Sequence, residues 1–310
     1  MQTLAILITY YNEKELLTEC LESLRVQTVM PDEIMVYDDC STFPAVDYLP
    51  NNFPLQIKVI RGTENKKPAF GRNLLMEETS CTYVHFQDAD DLFKPNCVEK
   101  IKEKIMDTGA DFLINDIEAQ KDNQIVALRV INVSNITNKN IVSYGISGSY
   151  LVPSVTYTKE LAKIVGGFRL ADVLAQSEDY EFHIRLAHTA KKPAIIDESL
   201  VIQRLRNNSH SSSNQNQVYI SGLKALQLLR ESLPKIYHKN IADRASKIGT
   251  ILYLMDDIVQ AREAWIFAQK DGYQLFNDRN KIFQLLVKII GIEKSEYLSR
   301  KFQKMKKYKL

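Results

Sequence analysis

Two short acidic clusters carry residue types that could do chemistry. Asp88, Asp90 and Asp91 follow an apolar run in VHFQDADDLF (84–93), and Glu178 and Asp179 open EDYEFHIRLA. Neither cluster says much alone: with 38 acidic residues in 310, chance supplies roughly five acid-x-acid triplets. A strand-to-helix turn or a helix N-terminus is also an ordinary place for a carboxylate. Charge gives the first cluster its weight. Carboxylates this close, if partly buried, favour a shared proton or a bound cation. Oxygen ligands at a strand end suit a hard ion such as Mg²⁺ or Mn²⁺, which keeps waters and bridges to phosphates.

Positive charge to meet a phosphate lies upstream, at Arg61, Lys66, Lys67 and Arg72. The two lysines read equally well as a solvated loop. Arg72 differs, because GRN is expected to open a short helix just before the aspartate strand, where a fixed guanidinium reaches a pyrophosphate. Glu13 and Glu15 crowd the start of the first helix and oppose an anion there. No G-x-G-x-x-G and no G-x-x-x-x-G-K-[ST] occurs.

The elements that must position these groups alternate through the first 115 residues. TLAILIT reads as a buried strand, and NEKELLTECLESLRVQ as a helix with Leu16, Leu17, Cys20, Leu21 and Leu24 on one face. Asn12 with Glu15 predicts a capping box at its start. EIMVY, LQIKVI, TYVHF and DFLIND read as further strands, with a helix starting near Pro95 before the last. This alternation predicts an α/β fold with a mainly parallel sheet flanked by helices. Thr9 to Asn12, Asp38 to Thr42 and Gln87 to Asp91 all follow carboxyl ends of strands, the edge where open α/β sheets bind ligands.

Composition narrows the class. Hydrophobic content of 45% and charged content of 25% belong to an ordinary globular protein, and a net charge of +2 is too small to argue for nucleic acid. Cys20, Cys40, Cys81 and Cys97 show no C-x-x-C spacing and read as free thiols in a reducing compartment. No signal-peptide pattern and no apolar run of membrane-span length occurs. The expected location is the cytoplasm.

Five ordered motifs over about residues 3–211 resemble the inverting family 2 glycosyltransferases with the GT-A fold. ITYYNEKELLTECLESLRVQT looks like the family's opening strand and helix. VYDDCST looks like its DDGS motif with Cys40 in place of glycine, GRN like its Arg-Asn turn, and QDADD like its metal-binding DXD. GGFRLADVLAQSEDYEFHIRLA looks like its Gly-Gly-Phe turn followed by the ED motif and helix. The resemblance implies a nucleotide-sugar donor held by Thr9, Tyr11, Asp39, Arg72 and Asp88, with Asp39 placed for a uracil imide. It implies a divalent Mn or Mg ion on Asp90, with Asp88 and Asp91 beside it. Asp179 would be the general base of a single displacement forming a β-linkage, with Glu178 orienting it or binding a glycan or lipid-linked glycan acceptor. Where the family has a histidine after the catalytic helix, this chain has Arg206, with His210 four residues on. Arg204 or Arg206 on the diphosphate is as good a reading as a histidine ligand. Residues 207–217 contain no apolar side chain, and read equally as a lid over the donor or as plain disorder.

From about residue 216 helical periodicity takes over. The domains are therefore read as 1–215, a GT-A nucleotide-sugar domain, and 216–310, an appended all-α unit, through which a homo-oligomer could form. Trp265 reads as core. The last stretch is rich in lysine with Leu298, Phe302 and Met305 on one face, which suits either peripheral contact at the inner membrane face or a solvated terminal helix. Two other readings stay open: a sugar-phosphate nucleotidyltransferase, against which stands the absence of a Gly-rich basic loop after the first strand, and a catalytically silent nucleotide-sugar-binding protein.

Overall fold

LAILITY forms β1 (Leu4–Tyr10), buried except at Thr9, as a strand covered on both faces must be. The computed structural model describes residues 2–206, 215–273, 276 and 279–307, with side chains to residue 301. The chain divides into the units Met1–Asn214 and Gln215–Leu310.

In the first unit, β1 pairs in parallel with β2 (Glu33–Asp38) on one side and β4 (Tyr83–Asp88) on the other, and β3 (Ile57–Arg61) lies parallel beyond β2. The parallel pairing expected from the strand-helix alternation holds here. Beyond β4 comes β8 (Val155–Thr158), antiparallel to β4 and to β6 (Phe112–Lys121). β9 (Pro193–Arg204) runs parallel to β6, β5 (Leu92–Phe93) antiparallel to β9, and β7 (Gln124–Ala127) makes a hairpin with β6.

Helices cover both faces. Leu4, Ile6, Ile8 and Tyr10 pack with Leu17, Cys20, Leu21 and Leu24 of α1 (Glu15–Arg25) and with Cys97, Val98, Ile101 and Ile105 of α3 (Cys97–Thr108). Each large side chain so buried contributes about 1.5–3 kcal/mol. The opposite face carries α2 (Lys67–Glu78), α4 (Ile141–Ser147), α5 (Lys159–Ile164) and α6 (Glu178–Thr189) in chain order. There Phe86 of β4, Tyr157 of β8, Phe168 and Phe182 of α6 form an aromatic cluster with centroids 4.0–6.5 Å apart.

Three local expectations are corrected. The capping box does not form: Asn12 has φ 65° and its Oδ1 accepts from Phe43 N at 3.2 Å, while α1 starts after Lys14 without a side-chain cap. A residue in the left-handed region lacks the extended backbone of an N-cap. Next, α2 begins at Lys67 with proline in its first turn, so Arg72 sits inside the helix and does not open it. Lastly, Pro95 precedes α3, whose N-cap is Asn96.

The second unit contains α7 (Gln215–Ser232), α8 (His238–Leu254), α9 (Ile258–Gln269), α10 (Lys281–Ile290) and α11 (Ile292–Lys307). Trp265 is core: it is 3% exposed, and its Nε1 donates to Ser246 O at 3.2 Å. Among the described residues no helix is long and apolar enough to cross a membrane. All four cysteines are free.

Cys40, at the position where DDGS has glycine, adopts φ 58°. That conformation costs a residue with a Cβ about 1–2 kcal/mol, and glycine's greater freedom in the unfolded chain offsets about 0.5–1 kcal/mol of the gain. Cys40→Gly therefore raises the unfolding free energy by about 0.5–1 kcal/mol, read from urea denaturation; a loss of stability would show that the thiol's packing outweighs the backbone.

Candidate active site

The three polar strand ends meet because the parallel register aligns them. Thr9 pairs with both Tyr37 and Asp88, and Tyr10 with Asp38. The two carboxylates of VYDDCST then part. Asp38 is fully buried and accepts from Ser41 N at 2.8 Å and Ala45 N at 2.9 Å, with Arg61 at 3.3 Å, so it braces the turn. Asp39, also buried, accepts from Lys66 N at 2.7 Å and Lys67 N at 2.9 Å, one bond to each oxygen. Each oxygen keeps a second lone pair. Thr9 is half-buried and Tyr11 exposed at the end of β1.

At the end of β4 the aspartates also take separate roles. Asp91 is buried and its Oδ1 accepts from Arg204 N at 2.9 Å. The Arg204 guanidinium is engaged by Asp90 O, Glu19 and Leu16 O. Arg204 therefore straps the end of β9 to α1 and the aspartate loop. Arg206 is the separate case: it is exposed and its Nη2 pairs with Asp90 Oδ2. His210 lies outside the described residues, as do 207–214 of the segment read as a lid.

Like charges at this edge act on one another. Burial lifts the Asp88 carboxyl to about 6, with Asp90, Asp179 and Glu178 adding and Arg72 opposing. Burial raises Asp91 well above the carboxylate range, with Asp90 and Asp88 adding. Glu13, which the sequence reading treated only as an obstacle to anions, is lifted by burial to about 7, with Asp90 adding and Arg206 opposing. Four carboxylates thus face too little positive charge, and their oxygen donors fit a hard divalent cation. Among the described residues no group of three His, Cys, Asp or Glu is placed to hold a metal, so Asp88, Asp90 and Asp91 are not brought together as a three-ligand set. With Asp91 engaged by Arg204, the protein's donors at this edge are Asp90 and Asp88, and an ion on them would complete its shell with water and phosphate oxygens, as Mg²⁺ commonly does.

The second acidic cluster reaches the first through Arg72. This guanidinium, 5% exposed, donates from Nη1 to Glu178 Oε1 at 2.8 Å and from Nη2 to Asp88 Oδ1 at 3.4 Å. It also lies over the Phe168 ring at 5.4 Å. Burial works against its charge, but Glu178, Asp88 and Asp179 together outweigh burial and raise its pKa. One guanidinium shared among three carboxylates does not satisfy each, and burial leaves Glu178 above its ordinary range despite Arg72. Asp179 is half-buried and has no hydrogen-bond partner among the described residues.

The neighbouring Asn73 locks GRN to GGF: its Oδ1 accepts from Phe168 N and its Nδ2 donates to Phe168 O, both at 2.8 Å. Gly167 has φ +70°, and a Cβ there would lie 2.7 Å from Asn73 Oδ1, so both the backbone and the contact require glycine. Arg185 grips the same turn by donating to Val165 O and Gly167 O, and is itself held by fully buried Glu181 at 2.7 Å. Arg169 donates to Glu181 at 2.9 Å. Sequence reasoning missed this network, although the i, i+4 spacing of Glu181 and Arg185 was a usable signal. Further on, a cavity of about 290 Å³ is lined by Val130, Ile131, Asn132, Tyr144 and Ser147 to Ser149. Tyr180, next to Asp179, donates to Ile146 O at 2.7 Å.

Removing Arg72 leaves two carboxylates without their partner. Arg72→Met costs about 3–5 kcal/mol of stability, and Arg72→Met/Glu178→Gln recovers part of it, a non-additivity readable in a double-mutant cycle. Strict additivity would show that Arg72 and Glu178 act independently.

The Glycosyl transferase family 2 model matches residues 5–150, from β1 to just past α4. An uncharacterized glycosyltransferase of Haemophilus influenzae is 26% identical over 293 residues, 93% of this chain and 94% of its own length. Among solved structures, S. aureus TarS 1–349 in complex with UDP-GlcNAc has a TM-score of 0.72 at 19% identity, covering 97% of this chain and 92% of that one. Mannosyltransferase PcManGT from Pyrobaculum calidifontis, in complex with GDP-Man and Mn²⁺, has a TM-score of 0.60 at 16% identity, covering 87% of this chain and 76% of that one. The structural likenesses concern the fold, which is GT-A, and the family match concerns the edge on which the acidic residues converge. Residues 5–150 thus match the glycosyltransferase family 2 model, and the chain is a transferase similar to glycosyltransferases along nearly its whole length.

Proposed function

We propose that the protein is a metal-dependent, inverting glycosyltransferase. In this reading it moves a sugar from a nucleotide diphosphate donor, preferentially a UDP-sugar, to a hydroxyl of a glycan or lipid-linked glycan. The observation that carries the reading is the Arg72 bridge between Glu178 and Asp88, which joins the ED helix to the aspartate strand end. Support for the donor comes from the two fold neighbours, one in complex with UDP-GlcNAc and one with GDP-Man and Mn²⁺.

The chain's own residues divide the work. Asp39, fixed by two backbone N–H groups, has lone pairs left for the imide N–H of uracil, with Thr9 and Tyr11 beside the nucleoside. Asp90 and Asp88 would hold a divalent ion, Mn²⁺ or Mg²⁺, which when bound supplies Lewis-acid stabilisation of the departing diphosphate. Arg206, once released from Asp90, meets the same diphosphate. Asp179, free of hydrogen bonds, takes the proton of the acceptor hydroxyl as it attacks the anomeric carbon from the face opposite the nucleotide. Attack from that face inverts an α-linked donor to a β-linked product. Glu178 is held by Arg72 and orients the start of α6. The cavity beside Ser147 to Ser149 is the acceptor side, tied to α6 through Tyr180. Met1–Asn214 would be the nucleotide-sugar domain and Gln215–Leu310 the appended helical unit.

A ligand that binds only the folded state raises its stability, by about 2.7 kcal/mol at a hundred times its Kd. UDP with Mn²⁺ is expected to raise the Tm more than GDP or dTDP, and Asp90→Asn to abolish the metal-dependent part. No response to any nucleotide would sink the reading. Asp179→Asn is expected to lower kcat by about 10²–10⁴-fold while the UDP-induced shift persists. A variant that turned over normally would remove Asp179 from the role of base.

A further inference from the structure

Among the described residues of the helical unit, α10 carries an exposed stripe of three large apolar side chains. Ile282, Leu285 and Ile289 are 73%, 57% and 69% exposed, and their spacing puts them on one stripe. The other side anchors the helix: Phe283 is buried, packs edge-on against Phe276 at 5.5 Å and lies under Arg279 at 3.9 Å. Lys281 and Lys288, seven residues apart, are both exposed and share a flank of the stripe.

Charge is distributed to match. Residues 281–310 contain nine Lys or Arg and two Glu, a net +7; the remaining 280 residues contain 31 and 36, a net −5. Both acids of the segment are paired outside it, Glu293 with Arg262 at 2.7 Å and Glu296 with Arg279 at 3.1 Å. Of the bases, Arg300 pairs with Asp256. The lysines at 304, 306, 307 and 309 follow with no acid after Glu296.

We propose that α10, together with the basic residues after it, docks the protein on the surface of an anionic lipid bilayer. Ile282, Leu285 and Ile289 enter the boundary between headgroups and acyl chains, and the lysines meet the headgroups. At ten residues the helix is about 15 Å long, half the thickness of a bilayer core, so it lies in the interface and does not span. A second copy of the chain is the poorer occupant, because it would bring two segments of +7 together. Of the last-helix face read from the sequence, Leu298 is half-buried, and Phe302 and Met305 lie outside the described side chains.

The inference does not depend on the transfer reaction, and its test uses the full chain in flotation with phosphatidylcholine vesicles, with and without phosphatidylglycerol. The wild type is expected to float with the anionic vesicles only and to be released by salt. Ile282→Gln/Leu285→Gln/Ile289→Gln is expected to weaken that binding by at least about tenfold, with Tm and the UDP-induced shift unchanged. Absence of binding to anionic vesicles, equal binding to both vesicle types, or undiminished binding of the triple variant overturns the proposal. So does a wild-type dimer in sedimentation velocity that the triple variant dissolves while neither binds vesicles, which would assign the face to a second copy.

Discussion

A single buried guanidinium joins the parts of this site. Arg72 sits inside α2, and its two Nη groups reach carboxylates far apart in sequence, Asp88 at a strand end and Glu178 at a helix start. Only a planar, permanently charged fork can serve both in a dry setting, because a lysine would offer one point charge and lose it more readily on burial. Asn73, one residue on, fixes the Gly-Gly-Phe turn that leads into the same helix. Two adjacent residues thus hold both the charge and the backbone that place α6.

Around that bridge, repulsion is distributed without being removed. Asp38 and Asp39 are satisfied by backbone N–H groups, and Asp91 by Arg204 N. These three hold the loops that frame the crevice. Asp88, Asp90 and Glu13 are left with shared or partial compensation, and burial raises Asp88 and Glu13 above the ordinary carboxylate range. An uncompensated cluster of this kind costs stability, and its oxygen donors are of the type that suits a hard cation.

The helical unit follows a different logic. Its interior is conventional, with Trp265 filling the space over Gly249, where a Cβ would lie 2.6 Å from the indole. Its helix α10 keeps large apolar side chains exposed beside exposed lysines. The cost of that exposure and the concentration of positive charge after residue 280 point to the same environment.

Much of the first unit was legible in the sequence. The continuous apolar runs of β1, β2 and β4 and the Leu-rich face of α1 follow from local periodicity, and parallel order places the polar residues after each strand on one edge. Chemical type at that edge was equally legible, because oxygen donors and guanidinium groups do not depend on conformation for their identity. What tertiary structure alone decided was which of those groups remain available. Arg204 and Arg206 are two residues apart and alike in sequence, yet Arg204 is consumed by Glu19, Leu16 O and Asp90 O while Arg206 is exposed. Asp91 and Asp90 separate in the same way, and Asn12 leaves the helix cap for a contact 31 residues away. Hydrogen-bond partners at such separations are set by how strands and loops come together, and no local pattern carries that information.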